Sequence, residues 1–202
     1  MTENTSPDPI ERMFLGNAVF RETDFLPNIT YWRKIVLGQQ PKILWIGCSD
    51  SRVNPERITG AVPGELFVQR NIGNIVPLQD WNFTTVLEFA LMKLKVEHII
   101  ICGHSDCGAI KALDNEEDSD YYISIWLNNA KEAKERVDSK IKKPETPEES
   151  KERYRLIERE NIRLQMEHLK AHPLVKKTIK ERPLFLHSLY FDLLDGRLTR
   201  ID

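Results

Sequence analysis

Two short apolar runs constrain the fold more than any other feature: ILWIG at residues 43–47 and HIIIC at residues 98–102. Neither alternates polar with apolar, and neither is long enough for an ordinary helix. Each therefore reads as a strand buried on both faces. Such strands belong to parallel sheets, which need helices on their faces and a crossover between neighbours. The intervening sequence supplies one. VLEFALMKL at 86–94 puts Val86, Phe89, Ala90 and Leu94 on one side of a helix, with Thr85 and Glu88 as a capping box in front. ELFVQR at 65–70, after the Pro63-Gly64 turn, and LFLHSLYFD at 184–192 read as further strands. Asp195-Gly196 is a turn signal, so RLTRI at 197–201 returns as a hairpin. The expected fold class is α/β: a central, mostly parallel β-sheet flanked by helices, closed by a C-terminal hairpin strand.

The flanks read differently. Residues 1–37 are expected to form an N-terminal helical arm, with the first nine or so disordered. Ile10, Met13, Phe14 and Ala18 have loosely helical spacing there, and Pro27 interrupts them. Residues 38–202 then form a single α/β domain. Within it, 114–160 is charge-rich and reads as solvated helix faces, with KKPETPEES at 142–150 as a loop. Ile162, Met166 and Leu169 mark the buried stripe of a helix that ends near Pro173.

Bulk charge narrows the function classes. The net charge of −2 gives no reason to expect nucleic acid or an anionic membrane as partner. No apolar run approaches the ~20 residues of a membrane span. The start, MTENTSPDPIERMF, is acidic and polar, unlike a signal or transit peptide, so a cytoplasmic location is expected. Three cysteines, Cys48, Cys102 and Cys107, suit metal ligands or buried thiols better than disulfides in a reducing compartment.

The first buried run ends in GCSDSR, at 47–52, and the third strand runs into GHSDCG, at 103–108. Ligands in open α/β sheets bind outside the carboxyl ends of the strands. Cys48 sits at one such end, and His104 and Cys107 sit just past another. Two thiolates and one imidazole suit Zn²⁺, and three protein ligands leave a fourth position open, as catalytic zinc requires. Cys102 lies inside the apolar run and reads as core, while His98, His168, His172 and His187 lack a partner at ligand spacing.

CSDSR followed by HSDCG resembles the β-class carbonic anhydrases. PGELFVQRNIGNIV at 63–76 and LKVEHIIICGHSDCGAIKA at 94–112 match the family in order and spacing. The resemblance is strong over about residues 35–115 and weak at the C-terminal strand. It implies one Zn²⁺ per chain on Cys48, His104 and Cys107, and reversible hydration of CO2 to bicarbonate and a proton by zinc-hydroxide attack. It also implies a catalytic Asp-Arg dyad, Asp50 and Arg52, in which Arg52 keeps Asp50 ionised and oriented. In some members the equivalent Asp closes the fourth zinc position. Because two thiolates cancel the formal charge of zinc, its water should keep its proton above the ~7 of a three-His site, and activity should rise on the alkaline side.

By the same resemblance Gln39 contacts substrate, Phe67 and Ile72 are apolar walls of the CO2 pocket, and Gly108 offers a backbone N–H beside the metal. Phe89 stands where plant-type members carry a Tyr, and Lys93 where some carry a proton-moving His. Trp45 and Arg70 match two members of a regulatory bicarbonate site whose third, a Tyr, falls at Phe191 beside Tyr190. A homodimer or a tetramer is implied, with the arm wrapped over the partner. Two other readings compete: hydrolysis of a CO2 analogue such as carbonyl sulfide on the same site, and a non-catalytic zinc scaffold or bicarbonate sensor, against which Gln39, Asp50 and Arg52 argue.

Overall fold

The computed structural model describes residues 8–115 and 121–202. The chain divides into two compact units, Met1–Gln39 and Gln40–Asp202.

In the first unit, helix α1 spans Pro9–Phe20 and continues through a wider π-type turn, Arg21–Phe25. Pro27 ends it, since proline cannot donate the next helical hydrogen bond, and α2 follows over Ile29–Val36. The expected disorder of residues 1–9 falls, up to residue 7, outside the described residues. Asp8 and Pro9 correct it at its end: the Asp8 carboxylate accepts from the Ile10 N–H at 2.8 Å, and Pro9 opens α1. Phe20 and Phe25 both pack on Trp32, with ring centroids 5.4 Å away. Ile10, Met13, Phe14, Leu15 and Val19 stay exposed, and neither α1 nor α2 has a buried residue.

In the second unit, strands β1 (Ile43–Cys48), β2 (Leu66–Asn71), β3 (His98–His104), β4 (Phe185–Phe191) and β5 (Leu198–Arg200) form one sheet in the order β2-β1-β3-β4-β5. All neighbours are parallel except β4 and β5, the antiparallel hairpin across Asp195-Gly196. β1 is buried almost throughout because it is hydrogen-bonded to β2 and β3 and covered on both faces.

Helices α4 (Trp81–Glu88, continuing as a π-type turn Phe89–Leu94) and α7 (Pro147–Ala171) cover one sheet face. Leu44, Ile46, Ile99 and Ile101 meet Phe83, Leu87 and Leu91 from the former and Ile162, Met166 and Leu169 from the latter. Each such buried side chain contributes ~1.5–3 kcal/mol. Gly103 lets α7 come close: a Cβ there would lie 2.8 Å from the Ile162 side chain. Trp45, Val53, Cys102 and Phe191 cluster on the opposite face, which the short helix α3 (Pro55–Thr59) adjoins through Ile58. Helices α5 (Gly108–Lys111), α6 (Tyr121–Asp138) and α8 (Pro173–Glu181) complete the unit.

Two expected boundaries are corrected. The capping box is not at Thr85 and Glu88. Asp80 caps α4, accepting from Phe83 N at 2.6 Å, and Thr85 Oγ1 donates back to Trp81 O inside the helix. A box does form at Thr146 and Glu149, so PEES at 147–150 is the first turn of α7 and not loop. Proline at the first helical position and glutamate at the third both favour that start.

Candidate metal centre

Parallel pairing of β1 with β3 sets Gly47 level with Cys102, so Cys48 and His104 leave the sheet at the same edge. Cys107 follows on the tight turn into α5, which Asp106 makes possible with φ 61°. The ligand-capable atoms of Cys48, His104 and Cys107 all lie within 4.8 Å of one another, and all three residues are buried. The thiols are free, with Sγ–Sγ 4.0 Å. Two thiolates on one tetrahedral zinc stand about 3.8 Å apart, so the spacing fits without rearrangement.

The histidine is set for the same purpose. His104 Nδ1 lies 2.9 Å from the Ser105 carbonyl, which can only accept, so Nδ1 carries the proton and Nε2 a lone pair. Nε2 is buried and has no hydrogen-bond partner among the described residues. An orphaned buried acceptor beside two thiols is what a metal would satisfy. Between the thiols, Cys48 ionises first because Cys107 hydrogen-bonds to it, and the Cys48 thiolate then holds the Cys107 proton.

Asp50 and Arg52 form a bidentate pair: Arg52 Nε donates to Oδ1 at 2.9 Å and Nη2 to Oδ2 at 2.7 Å, with Arg52 N–H adding a third bond at 3.0 Å. That contact holds the Asp50 carboxyl well below the usual carboxylate range. Asp50 Oδ2 lies 3.9 Å from His104 Nε2, so the carboxylate faces the ligand cluster. Arg52 also reaches Asp106, through Nη1 to Oδ2 at 2.9 Å and Nη2 to the carbonyl at 3.0 Å.

Arg70 donates to the carbonyls of Cys48, at 2.8 Å, and Asp50, at 2.6 Å, tying down the loop that carries both. Trp45 lies on the same sheet face, one pair further from that edge, in the apolar cluster with Phe191. Its indole N–H has no partner among the described residues. Tyr190 points to the other face. Ile72 directly follows Asn71, the partner of Cys48. Gly108 follows Cys107, and a Cβ on it would meet nothing within 4 Å. Phe67 and Phe89 stack, centroids 5.8 Å apart. Phe67 stands four residues before Asn71, however, which is ~13 Å along a strand. The stacked pair is therefore not beside Cys48 of its own chain. Gln39 is the exposed last residue of the first unit.

Sequence reasoning missed a set of buried polar residues on α7. Glu158 Oε1 accepts from Cys107 N–H at 3.0 Å, and its Oε2 accepts from the Tyr190 hydroxyl at 2.7 Å. Asn161 donates to Gly73 O at 3.0 Å, and Gln165 Oε1 accepts from Val76 N at 2.8 Å. These bonds hold the ligand turn and the 71–76 loop, whose Gly73 and Asn74 have φ of 84° and 49°. The available signal was their spacing: 158, 161 and 165 interleave with the apolar stripe of Ile157, Ile162 and Met166.

The carbonic anhydrase family model matches residues 43–198. The chain belongs to the β-carbonic anhydrase family. It is 36% identical over 194 residues to a carbonic anhydrase of Pseudomonas aeruginosa, covering 93% of this chain and 85% of that protein. It is 32% identical to the mitochondrial β-carbonic anhydrase 6 of Arabidopsis thaliana, covering 97% of this chain and 69% of that one. Among solved structures, a tetrameric β-carbonic anhydrase of Sordaria macrospora superimposes with a TM-score of 0.86 at 34% identity, covering 95% of this chain and 96% of that one. The family's reaction, hydration of CO2, comes with the membership. No helix among the described residues is long and apolar enough to cross a membrane.

Proposed function

We propose that this family member hydrates CO2 on a zinc ion held by Cys48, His104 and Cys107, with Asp50 and Arg52 as the orienting pair. When bound, zinc supplies Lewis-acid activation of water, weaker than on three imidazoles because two thiolates cancel its charge. The observation that carries the reading is the Asp50 carboxylate, 3.9 Å from the unpartnered Nε2 of His104. A structural site needs no ionised carboxylate there. Arg52 keeps Asp50 charged and fixes both oxygens, so Asp50 Oδ2 would accept a hydrogen bond from a water or hydroxide beside the cluster and orient it. Arg70 holds the backbone of that loop still. The same carboxylate, 3.9 Å from His104 Nε2, could itself serve as a ligand if zinc is held there, which makes it the candidate for a closed resting form.

The proposed working unit is a homodimer, with a tetramer as a pair of dimers. Phe67 and Phe89 form an apolar wall suited to CO2, yet they lie ~13 Å along the strand from the Cys48 row. A second chain would bring its wall to this chain's ligands. The exposed apolar residues of α1 favour such a partner. Gln39, Ile72 and Gly108 are proposed as the remaining pocket residues, and Trp45 with Arg70 as the regulatory bicarbonate pair. Three free thiols fit a reducing, cytoplasmic setting.

Stopped-flow CO2 hydration tests the dyad. Asp50→Asn should lose on the order of 10²-fold in turnover with zinc content unchanged. Undiminished turnover would remove Asp50 from the mechanism, and turnover of carbonyl sulfide alone would overturn the substrate.

A further inference from the structure

We propose that a groove beside the ligand turn binds a phosphate-bearing small molecule with an apolar or aromatic body. The groove encloses about 900 Å³, the size of a small-molecule site. One wall is a single face of the first half of α7, where lining residues recur at three- and four-residue spacing from Pro147 to Glu158. The other wall is the 105–106 turn with Lys111, Arg52, Leu193 and Leu194. Cys48, His104 and Cys107 do not line it, so an occupant would not be a metal ligand.

Charge decides the ligand class. Arg52 and Lys111 both pair with Asp106. Lys151 and Arg155 also line the groove. Lys151 makes no ion pair among the described residues, and Arg155 only reaches the exposed Glu152, at 3.9 Å. They stand four residues apart on one helix face, where like charges repel and destabilise the helix. An anion bridging them would remove that repulsion. A phosphate monoester suits two cations: it carries nearly two charges and three acceptor oxygens. Tyr154, between them in sequence, Leu193 and Leu194, the last 73% exposed, offer apolar surface to the rest of the molecule. Arg52 lines this groove with Asp106 and also holds Asp50, which faces the metal centre. Occupancy would therefore be sensed at Asp50, a coupling that rests on the catalytic reading above, whereas the site itself does not.

Calorimetric titration of the zinc-loaded protein with phenyl phosphate tests the site without any turnover measurement. Saturable binding is expected, with inorganic phosphate weaker. The double variant Lys151→Gln/Arg155→Gln should weaken phenyl phosphate by about tenfold or more, as loss of charge-assisted hydrogen bonds implies. CO2 hydration in the absence of the ligand should be unchanged in that variant. Leu194→Ser should weaken phenyl phosphate and leave inorganic phosphate as it was. No saturable binding, or equal affinity in the double variant, would overturn the proposal, the latter by showing that the anion sits elsewhere.

Discussion

Helices α4 and α7 pack on the same sheet face and share one apolar cluster, yet they do different work. The buried residues of α4 and its continuation are Phe83, Leu87, Ala90 and Leu91, without a polar atom in their side chains. α7 buries Glu158, Asn161 and Gln165 among its leucines and isoleucines. Burying polar groups is costly unless each is paired. Here the partners are backbone groups of Cys107, Gly73 and Val76. The apolar helix stabilises the sheet, while the mixed helix also fixes the two loops at its edge. Stability and site geometry should therefore separate when the two helices are altered.

The largest effect is expected on the α4 side. Leu87 is fully buried, and Leu87→Ala should cost ~2–5 kcal/mol in denaturant unfolding. Zinc affinity of the remaining folded protein should not change, and a parallel loss of affinity would break the distinction. On the α7 side, Glu158→Ala leaves the Tyr190 hydroxyl and the Cys107 N–H without their acceptor. The expected loss of stability is ~1–3 kcal/mol, smaller than for Leu87. Zinc affinity, read by chelator competition, should fall about 10–100-fold, as when a group that orients a ligand is removed. Unchanged affinity would make Glu158 merely structural.

The smallest effect concerns the outer half of α7. Arg153 donates to Asp138 of α6 at 2.6 and 2.8 Å, and also to Asp114. Its guanidinium lowers the Asp138 carboxyl to about 2. A depressed carboxylate contributes stability that is complete above its unfolded value of ~3.9 and lost as pH falls through the folded one. Unfolding stability should thus fall between about pH 4 and 2, and Asp138→Asn should shrink that fall. Because both aspartates are partly exposed, the change should be small.

This contrast also marks what the sequence could tell. β1 and β3 were legible because a strand buried on both faces admits only apolar residues, and Cys48, His104 and Cys107 stand where such strands end. The Asp50–Arg52 pair was legible because both lie on one short loop. The apolar stripe of α7, Ile162, Met166 and Leu169, was legible too, but its buried Glu158, Asn161 and Gln165 were not: such residues on a helix ordinarily face water, and only tertiary contacts reveal loops waiting for them. Asp80 was overlooked as the cap of α4 because the apolar periodicity there begins several residues later. The placement of Phe67 and Phe89 away from Cys48 depended on strand register, which no local pattern states.

The most direct test of the central claim is stopped-flow CO2 hydration by zinc-quantified protein from neutral to mildly alkaline pH, before and after zinc removal. Turnover that rises with pH and disappears with the metal is the predicted result. A flat profile, or turnover that survives complete zinc removal, would contradict it.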